Sequence, residues 1–218
     1  MKKIICLINA RGGSKRVKDK NILLFNSKPL IYWTIKAAQE SELYYKIYVN
    51  TDSKKIASLA SYYNAEIPFL RPKYLAGDNT SSVESTKYFL NKITDSVDGF
   101  DLLQPTSPLR TSRNIINFHN FIGKNNFKSA ASVSKLHNES SSKYILNKNY
   151  SLKKLYMNET NKKIDIFFLN GSMYYNEINT FLKYENFVSR YTKGFKMTKK
   201  ISIDIDTLED FNRALKSL

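Results

Sequence analysis

Three stretches of this 218-residue chain carry side chains suited to chemistry on charged, phosphorylated compounds. The first is Ala10-Arg11-Gly12-Gly13-Ser14-Lys15-Arg16-Val17-Lys18-Asp19-Lys20-Asn21. Its two glycines let the backbone approach a ligand, and successive amides with Arg11, Lys15 and Lys20 can surround a triphosphate. The run is neither GxxxxGK[ST] nor GxGxxG, so a basic surface loop is the competing reading. The second is Gln104, whose amide offers donor and acceptor together and so suits a sugar hydroxyl or amide. Pro105 and Pro108 stiffen the loop that presents it, and a plain strand-ending turn is the alternative. The third is Ile201-Ser202-Ile203-Asp204-Ile205-Asp206. On a strand, Ile201, Ile203 and Ile205 face the core while Asp204 and Asp206 share the other side. Adjacent carboxylates repel unless a cation lies between them, and Mg²⁺ bridging to phosphate oxygens is the natural one. Thr207 with Asp210 fits a capping box, so a solvated strand end feeding a helix competes with the metal reading.

The elements that must position these groups alternate. Strands are expected at 3–9, 45–50, 66–69, 99–103 and 129–134, the 66–69 strand ending at Arg71-Pro72. Helices are expected at 29–41, 53–62, 81–94 and 111–123, with Pro29 near the first turn of one and Thr111 opening another. This spacing implies an α/β fold, a mostly parallel central sheet with helices on both faces. Ligands of such sheets bind beyond the carboxyl ends of the strands, where both the glycine-containing run and Gln104 fall. Residues 135–165 are polar and lack clean periodicity, which reads as an excursion or an arm ordered by a partner subunit. Strands at 165–169 and 172–176 are then expected around an Asn170-Gly171 turn, followed by a short helix at 177–183, a strand at 200–205 and a helix at 208–217.

Length and composition bound the function. With 42% hydrophobic residues the chain can bury one sizeable core, and no linker or repeat marks a second domain. A single domain over 1–218 is expected, with the irregular 135–190 stretch as a subregion of it. No apolar run of about 18 residues is present to span a membrane, and the apolar start runs into Arg11-Gly12-Gly13 rather than a cleavage site. Cys6 is the single cysteine, which fits a buried thiol in a cytoplasmic protein without disulfides. The formal charge of +16 favours polyanionic partners, either phosphorylated small molecules or nucleic acid. The lysines are scattered, and neither a basic helix, a zinc module nor an aromatic RNA-binding signature is present, so no nucleic-acid partner is expected. A basic nucleic-acid-binding protein without catalysis is the alternative from another class. His119 and His137 have no carboxylate or cysteine at ligand spacing and receive no catalytic or zinc role.

Taken in order, these runs resemble the CMP-sialic acid synthetases, the acylneuraminate cytidylyltransferases. The resemblance rests on five motifs. They are Ala10 to Asn21, Arg71-Pro72 with Leu75-Ala76 and Asp78, Leu103-Gln104-Pro105-Thr106-Ser107-Pro108-Leu109-Arg110, Asn170-Gly171-Ser172-Met173-Tyr174, and Asp204-Ile205-Asp206-Thr207. It implies a nucleotidyltransferase fold of the glycosyltransferase-A-like kind. It also implies transfer of CMP from CTP to the anomeric hydroxyl of a nonulosonic acid, with N-acetylneuraminate first and legionaminic, pseudaminic or 3-deoxy-octulosonic acid as alternatives. On that resemblance Arg11, Gly12, Gly13, Ser14, Lys15, Lys20, Asn21, Arg71 and Ser82 surround CTP. Gln104, Tyr174 and Phe187 meet the sugar, Lys143 holds its carboxylate by reaching across from the partner subunit, and 135–190 is the dimerisation and sugar-binding subregion. Val188 extends the apolar patch, and Mg²⁺ sits on Asp204 and Asp206. Arg11, Asp204 and Asp206 then carry catalysis, and a homodimer is implied. The stretch Thr160 to Phe167 departs from the family by lacking its Arg and Pro, and Lys162 or Lys163 is a candidate replacement for the charge. That loss also leaves open a member that binds nucleotide without turnover.

Overall fold

A computed structural model of the chain describes residues 2–14, 16–135, 143–155 and 165–218. The chain order is β1 (Ile4–Asn9), the two-residue strands β2 (Leu24–Phe25) and β3 (Lys28–Pro29), α1 (Leu30–Ser41), β4 (Lys46–Asn50), α2 (Lys54–Tyr62), α3 (Ser82–Lys92), β5 (Gly99–Leu103) and α4 (Ser112–Asn125). Then follow β6 (Ser129–Lys135), β7 (Lys143–Leu146), β8 (Leu152–Leu155), β9 (Ile166–Glu177), α5 (Ile178–Tyr184), β10 (Lys193–Lys196) and α6 (Leu208–Leu215). The main sheet runs β10-β6-β9-β5-β1-β4, with the β7–β8 hairpin attached to β9. Five of those six strands point the same way and β9 alone runs against them.

Side-chain alternation along β1 explains the three layers. Cys6 and Ile8 face one side, where Ile35 of α1, Ile56 of α2 and Phe118 of α4 cover them. Ile5 and Leu7 face the other, where Phe89 of α3 and Phe181 of α5 pack. The expected helices begin where their caps stand: Ser53, Ser81, Thr111 and Thr207 each accept a hydrogen bond from a first-turn amide.

Four expectations from the sequence are corrected. The strand at 66–69 shrinks to a single bridge from Glu66 to Tyr48, because Pro68 has no N–H to continue the ladder. The strand at 200–205 is absent. Lys200–Ser202 form a 3-10 turn, since the Ser202 hydroxyl donates back to the Thr198 carbonyl and joins buried Ser134 and Asn170. The edge strand lies earlier, as β10, which the sequence reading did not mark. Asn170-Gly171 does not turn the chain between two strands; it lies within one continuous β9. The polar stretch contains an ordered hairpin, β7–β8, while residues 136–142 and 156–164, with His137, Lys162 and Lys163, lie outside the described residues.

The feature inside β9 is a wide bulge. Ala131 pairs with Tyr174 and Val133 with Leu169, so a single β6 residue, Ser132, faces the four residues 170–173. Ser132 fills the gap: its hydroxyl donates to Asn170 Oδ1 (2.5 Å) and accepts from the Met173 amide (2.9 Å). Gly171 at the bulge has φ +76°, and an added Cβ would lie 3.2 Å from Gln104 Oε1 and 3.3 Å from Asp204 Oδ2. The bulge therefore aims β9 backbone at two residues singled out for chemistry. Gly171→Ala is expected to lower the urea midpoint by an amount worth about 1–3 kcal/mol, from left-handed strain plus contact. A wild-type midpoint would contradict this geometry.

Candidate active site

The carboxyl ends of β1 and β5 open into a cavity of about 560 Å³. Asn9 and Arg11 reach it from β1, Leu102 and Gln104 from β5, and Ser81 and Ser82 from the start of α3. β1 lies between β4, which follows it in sequence, and β5, reached by a later crossover, so the cavity sits where the winding reverses. Buried amides fix the strand ends to α3: Asn50 donates to Asn9 Oδ1 (2.8 Å) and Ser85 Oγ (3.0 Å), and Asn9 donates to Thr86 Oγ1 (2.9 Å). The positive end of the α3 dipole consequently faces the cavity.

Four cations line it, Arg11, Arg16, Lys20 and Arg71, against two acids, Asp78 and Asp206. Arg11 pairs with Asp78 at 2.9 Å, and Asn21, buried beneath, donates to the Arg11 carbonyl. Arg71 is buried and donates to the Asn50 carbonyl. Burial lowers its pKa to about 10, which leaves it charged at neutral pH. Lys20 closes the floor by donating to the Ile205 carbonyl (2.8 Å) and to Asp206 Oδ1 (2.9 Å). Of the expected nucleotide residues, Arg11, Ser14, Lys20, Asn21, Arg71 and Ser82 line this cavity. Gly12 and Gly13 do not: the Gly12 amide donates to Asp52 Oδ1, and its missing Cβ leaves room for Ser53. Gly12 thus serves close packing against the loop after β4, and Gly13 is exposed. Lys15 lies outside the described residues.

A second cavity, also about 560 Å³, adjoins the first and shares Ser82, Leu102 and Gln104 with it. Tyr174 and Phe187 line it as expected, their rings 5.6 Å apart, with Val188 beside them. Lys143 does not line it. On β7 successive residues face opposite ways, and Tyr144 takes the inward place. The cations there are Lys154 of β8 and Arg190. Sequence reasoning missed both, and it also gave no role to Arg16 or Thr106; only the positions of Arg16 and Thr106 inside motifs offered a signal.

The acidic pair is asymmetric. Asp206 is half-buried, and although burial raises its pKa, the hydrogen bond and charge of Lys20, with Arg16 at 3.1 Å, bring it below the usual range. Asp204 is largely enclosed, and burial is the main cause that lifts its pKa to about 6, with the Asp206 charge adding and a Thr106 hydrogen bond opposing. Its Oδ1 is buried with no hydrogen-bond partner. The pair is therefore not the exposed one the strand reading implied. The capping box is completed by Thr207 and Asp210, so neither carboxylate is spent on the helix cap.

His119, read as structural, has a carboxylate neighbour that sequence spacing hid: its Nε2 lies 2.7 Å from Asp101 Oδ2 in the core behind β5. Asp101 raises its pKa against the opposing effect of burial, which is the larger single cause. Cys6 is free and buried, and burial holds its thiol well above the ordinary value.

Fold and site define a three-layer α/β class, with a cationic cavity at the winding reversal and a less charged one beside it. The cytidylyltransferase family pattern matches residues 5–216, and the chain belongs to that family. It is 35% identical over 219 residues to N-acylneuraminate cytidylyltransferase of Escherichia coli O18:K1:H7, a match covering 98% of this chain and 51% of that protein. It is 36% identical to CMP-N,N'-diacetyllegionaminic acid synthase of Legionella pneumophila over 96% of this chain and 93% of the other. The chain thus spans about half the length of the N-acylneuraminate relative and nearly all of the legionaminic one. A solved structure of CMP:2-keto-3-deoxy-manno-octonic acid synthetase complexed with CTP superposes with a TM-score of 0.79 at 16% identity, covering 99% and 98% of the two chains, and shares the fold. No helix among the described residues is long and apolar enough to cross a membrane.

The asymmetry of the acids yields a pH test. Asp204 keeps its proton in the folded state up to about pH 6, whereas the unfolded chain releases it near pH 4. At this group the native state then binds more protons in that window, so the contribution of Asp204 to stability falls as pH rises from about 4 to 6. Asp204→Asn removes the buried charge and is expected to be more stable than wild type at pH 8 by roughly 2–3 kcal/mol. That gap should shrink towards pH 4.5. Parallel melting curves across the range would contradict the enclosed carboxylate.

Proposed function

We propose that this chain transfers CMP from CTP to the anomeric hydroxyl of a nonulosonic acid, N-acetylneuraminate foremost, and releases pyrophosphate. One observation carries the reading: a cation-lined cavity and a partly apolar one meet at Gln104 and Ser82. The first suits a triphosphate. The second offers Tyr174, Phe187 and Val188 to acyl groups, and Lys154 and Arg190 to a sugar carboxylate. The anomeric oxygen attacks the α-phosphorus, forming the new O–P bond as the bond to the β-phosphate breaks. Positioning and charge stabilisation are what such a reaction asks of a protein. Arg11, held by Asp78 and Asn21, and buried Arg71 grip the phosphates, while Gln104 orients the acceptor between the cavities.

Asp204 and Asp206 fit a hard cation. Asp204 offers a buried oxygen with no hydrogen bond, and Asp206, two residues on, lines the cationic cavity. Among the described residues no cluster of three or more His, Cys, Asp or Glu forms, so these two carboxylates would be the protein groups that hold Mg²⁺. Mg²⁺ bound there supplies charge neutralisation on the phosphates and Lewis-acid polarisation. A homodimer belongs to the same proposal.

The test is pyrophosphate release with CTP, Mg²⁺ and a panel of N-acetylneuraminate, legionaminic, pseudaminic and 3-deoxy-octulosonic acids. Release with N-acetylneuraminate as the best acceptor is expected. A different best acceptor revises the sugar, and release with none overturns the reaction. Arg11→Ala should raise the CTP KM or lower kcat by about 10- to 150-fold, the worth of one charge-assisted phosphate contact. Arg190→Ala should instead raise the KM for the sugar acid about tenfold with the CTP KM unchanged. The reverse pattern in either variant would exchange the two cavities. Mg²⁺ with CTP should raise the melting temperature of wild type more than that of Asp206→Asn. Equal shifts would move the metal elsewhere. Sedimentation of a fully active monomer would remove the dimer.

A further inference from the structure

Arg110 is fully buried and forms no ion pair at or below 4.0 Å with a described carboxylate, yet it stays charged at neutral pH because burial lowers its pKa only to about 10. An enclosed guanidinium is costly, so what it holds deserves an explanation. Its Nη1 donates to the Ser172 carbonyl (2.7 Å) and the Gln104 carbonyl (3.2 Å), and its Nη2 donates to Thr34 Oγ1 (2.7 Å). Thr34 in turn donates to the same Gln104 carbonyl at 3.3 Å. Ser172 is in the β9 bulge directly after Gly171, and Gln104 is the residue shared by both cavities. One guanidinium thus joins the loop that presents Gln104 to the bulge that Gln104 Oε1 packs against.

We propose that Arg110 is a positioning residue. Through the Gln104 and Ser172 carbonyls it sets the distance between the Gln104 amide and the Gly171 bulge, and so the place of the acceptor sugar, without touching a substrate. Only a planar fork reaches three acceptors in fixed directions; a lysine carries the charge but not the geometry. The proposal rests on the sugar-transfer reading of the two cavities.

The test compares wild type, Arg110→Lys, Thr34→Val and Gln104→Ala, alone and with Gln104→Ala combined with Arg110→Lys. Pyrophosphate release gives separate KM values for CTP and sugar acid. Arg110→Lys should raise the sugar KM at least about tenfold and leave the CTP KM within about threefold. Thr34→Val, which keeps the shape and deletes one anchor, should give a smaller shift of the same kind. This serves if Arg110→Lys does not fold. In the Gln104→Ala background Arg110→Lys should add little further to the sugar KM, because the effect travels through Gln104. Equal effects on both substrates, or full additivity with Gln104→Ala, would reduce Arg110 to a structural residue and overturn the proposal. Absence of turnover in wild type would instead overturn the sugar-transfer reading itself.

Discussion

Strand β9 runs against the other strands of its sheet, and its bulge opposite Ser132 is the constraint on which the site depends. A regular ladder would carry residues 170–173 past β6 and leave Gln104 and Asp204 apart. With one β6 residue facing four, the backbone at Gly171 swings to the strand ends, where a Cβ added to it would meet both. Most of the polar groups stranded by the bulge find partners, the buried Ser172 hydroxyl excepted. Asn170 donates to Ser134 and Ser202 and accepts from Ser132 and the Ser172 amide, and Arg110 takes the Ser172 carbonyl. Each of these bonds matters, because a buried polar atom that loses its partner is left uncompensated.

The same network reaches the acids. Ser202 lies two residues before Asp204 and is held by Asn170 and Ser134, while the Ile205 amide donates to the Thr106 carbonyl (2.8 Å). The segment that bears both carboxylates is thus pinned at each end by non-local bonds rather than by a sheet ladder. Lys20 then ties it to the loop after β1. The high positive charge of the chain is concentrated usefully here, where four cations converge on one cavity, although scattered lysines account for much of the surplus. Converging cations raise the local concentration of an anionic nucleotide and steer its approach.

The alternating first two-thirds of the chain was legible because its signals are local. Ser53, Ser81 and Thr111 cap helices, apolar periodicity marks their faces, and Cys6 to Ile8 read as a buried strand. Most residues of the cationic cavity were legible for the same reason, since they cluster within one loop. What failed depends on distant partners. Asn170-Gly171 has the composition of a turn, and only Ser132, 38 positions away, shows that it is a bulge. The isoleucine alternation at 201–205 resembles a strand, but Ser202 is claimed by hydroxyls from β6 and no neighbour offers a ladder. Arg190 and Lys154 share a cavity only because β8 and the segment after α5 fold onto β9 and β5, which no spacing in the sequence encodes.

The central claim is that two adjoining cavities hold nucleotide and sugar acid at the same time, with Gln104 between them. Calorimetric titration of N-acetylneuraminate into protein saturated with Mg²⁺ and a non-hydrolysable CTP analogue tests it most directly. The account predicts that the sugar acid binds the saturated protein at least as tightly as the free protein, giving a ternary complex. Competition between the two ligands, with sugar binding lost as the analogue fills its site, would contradict it.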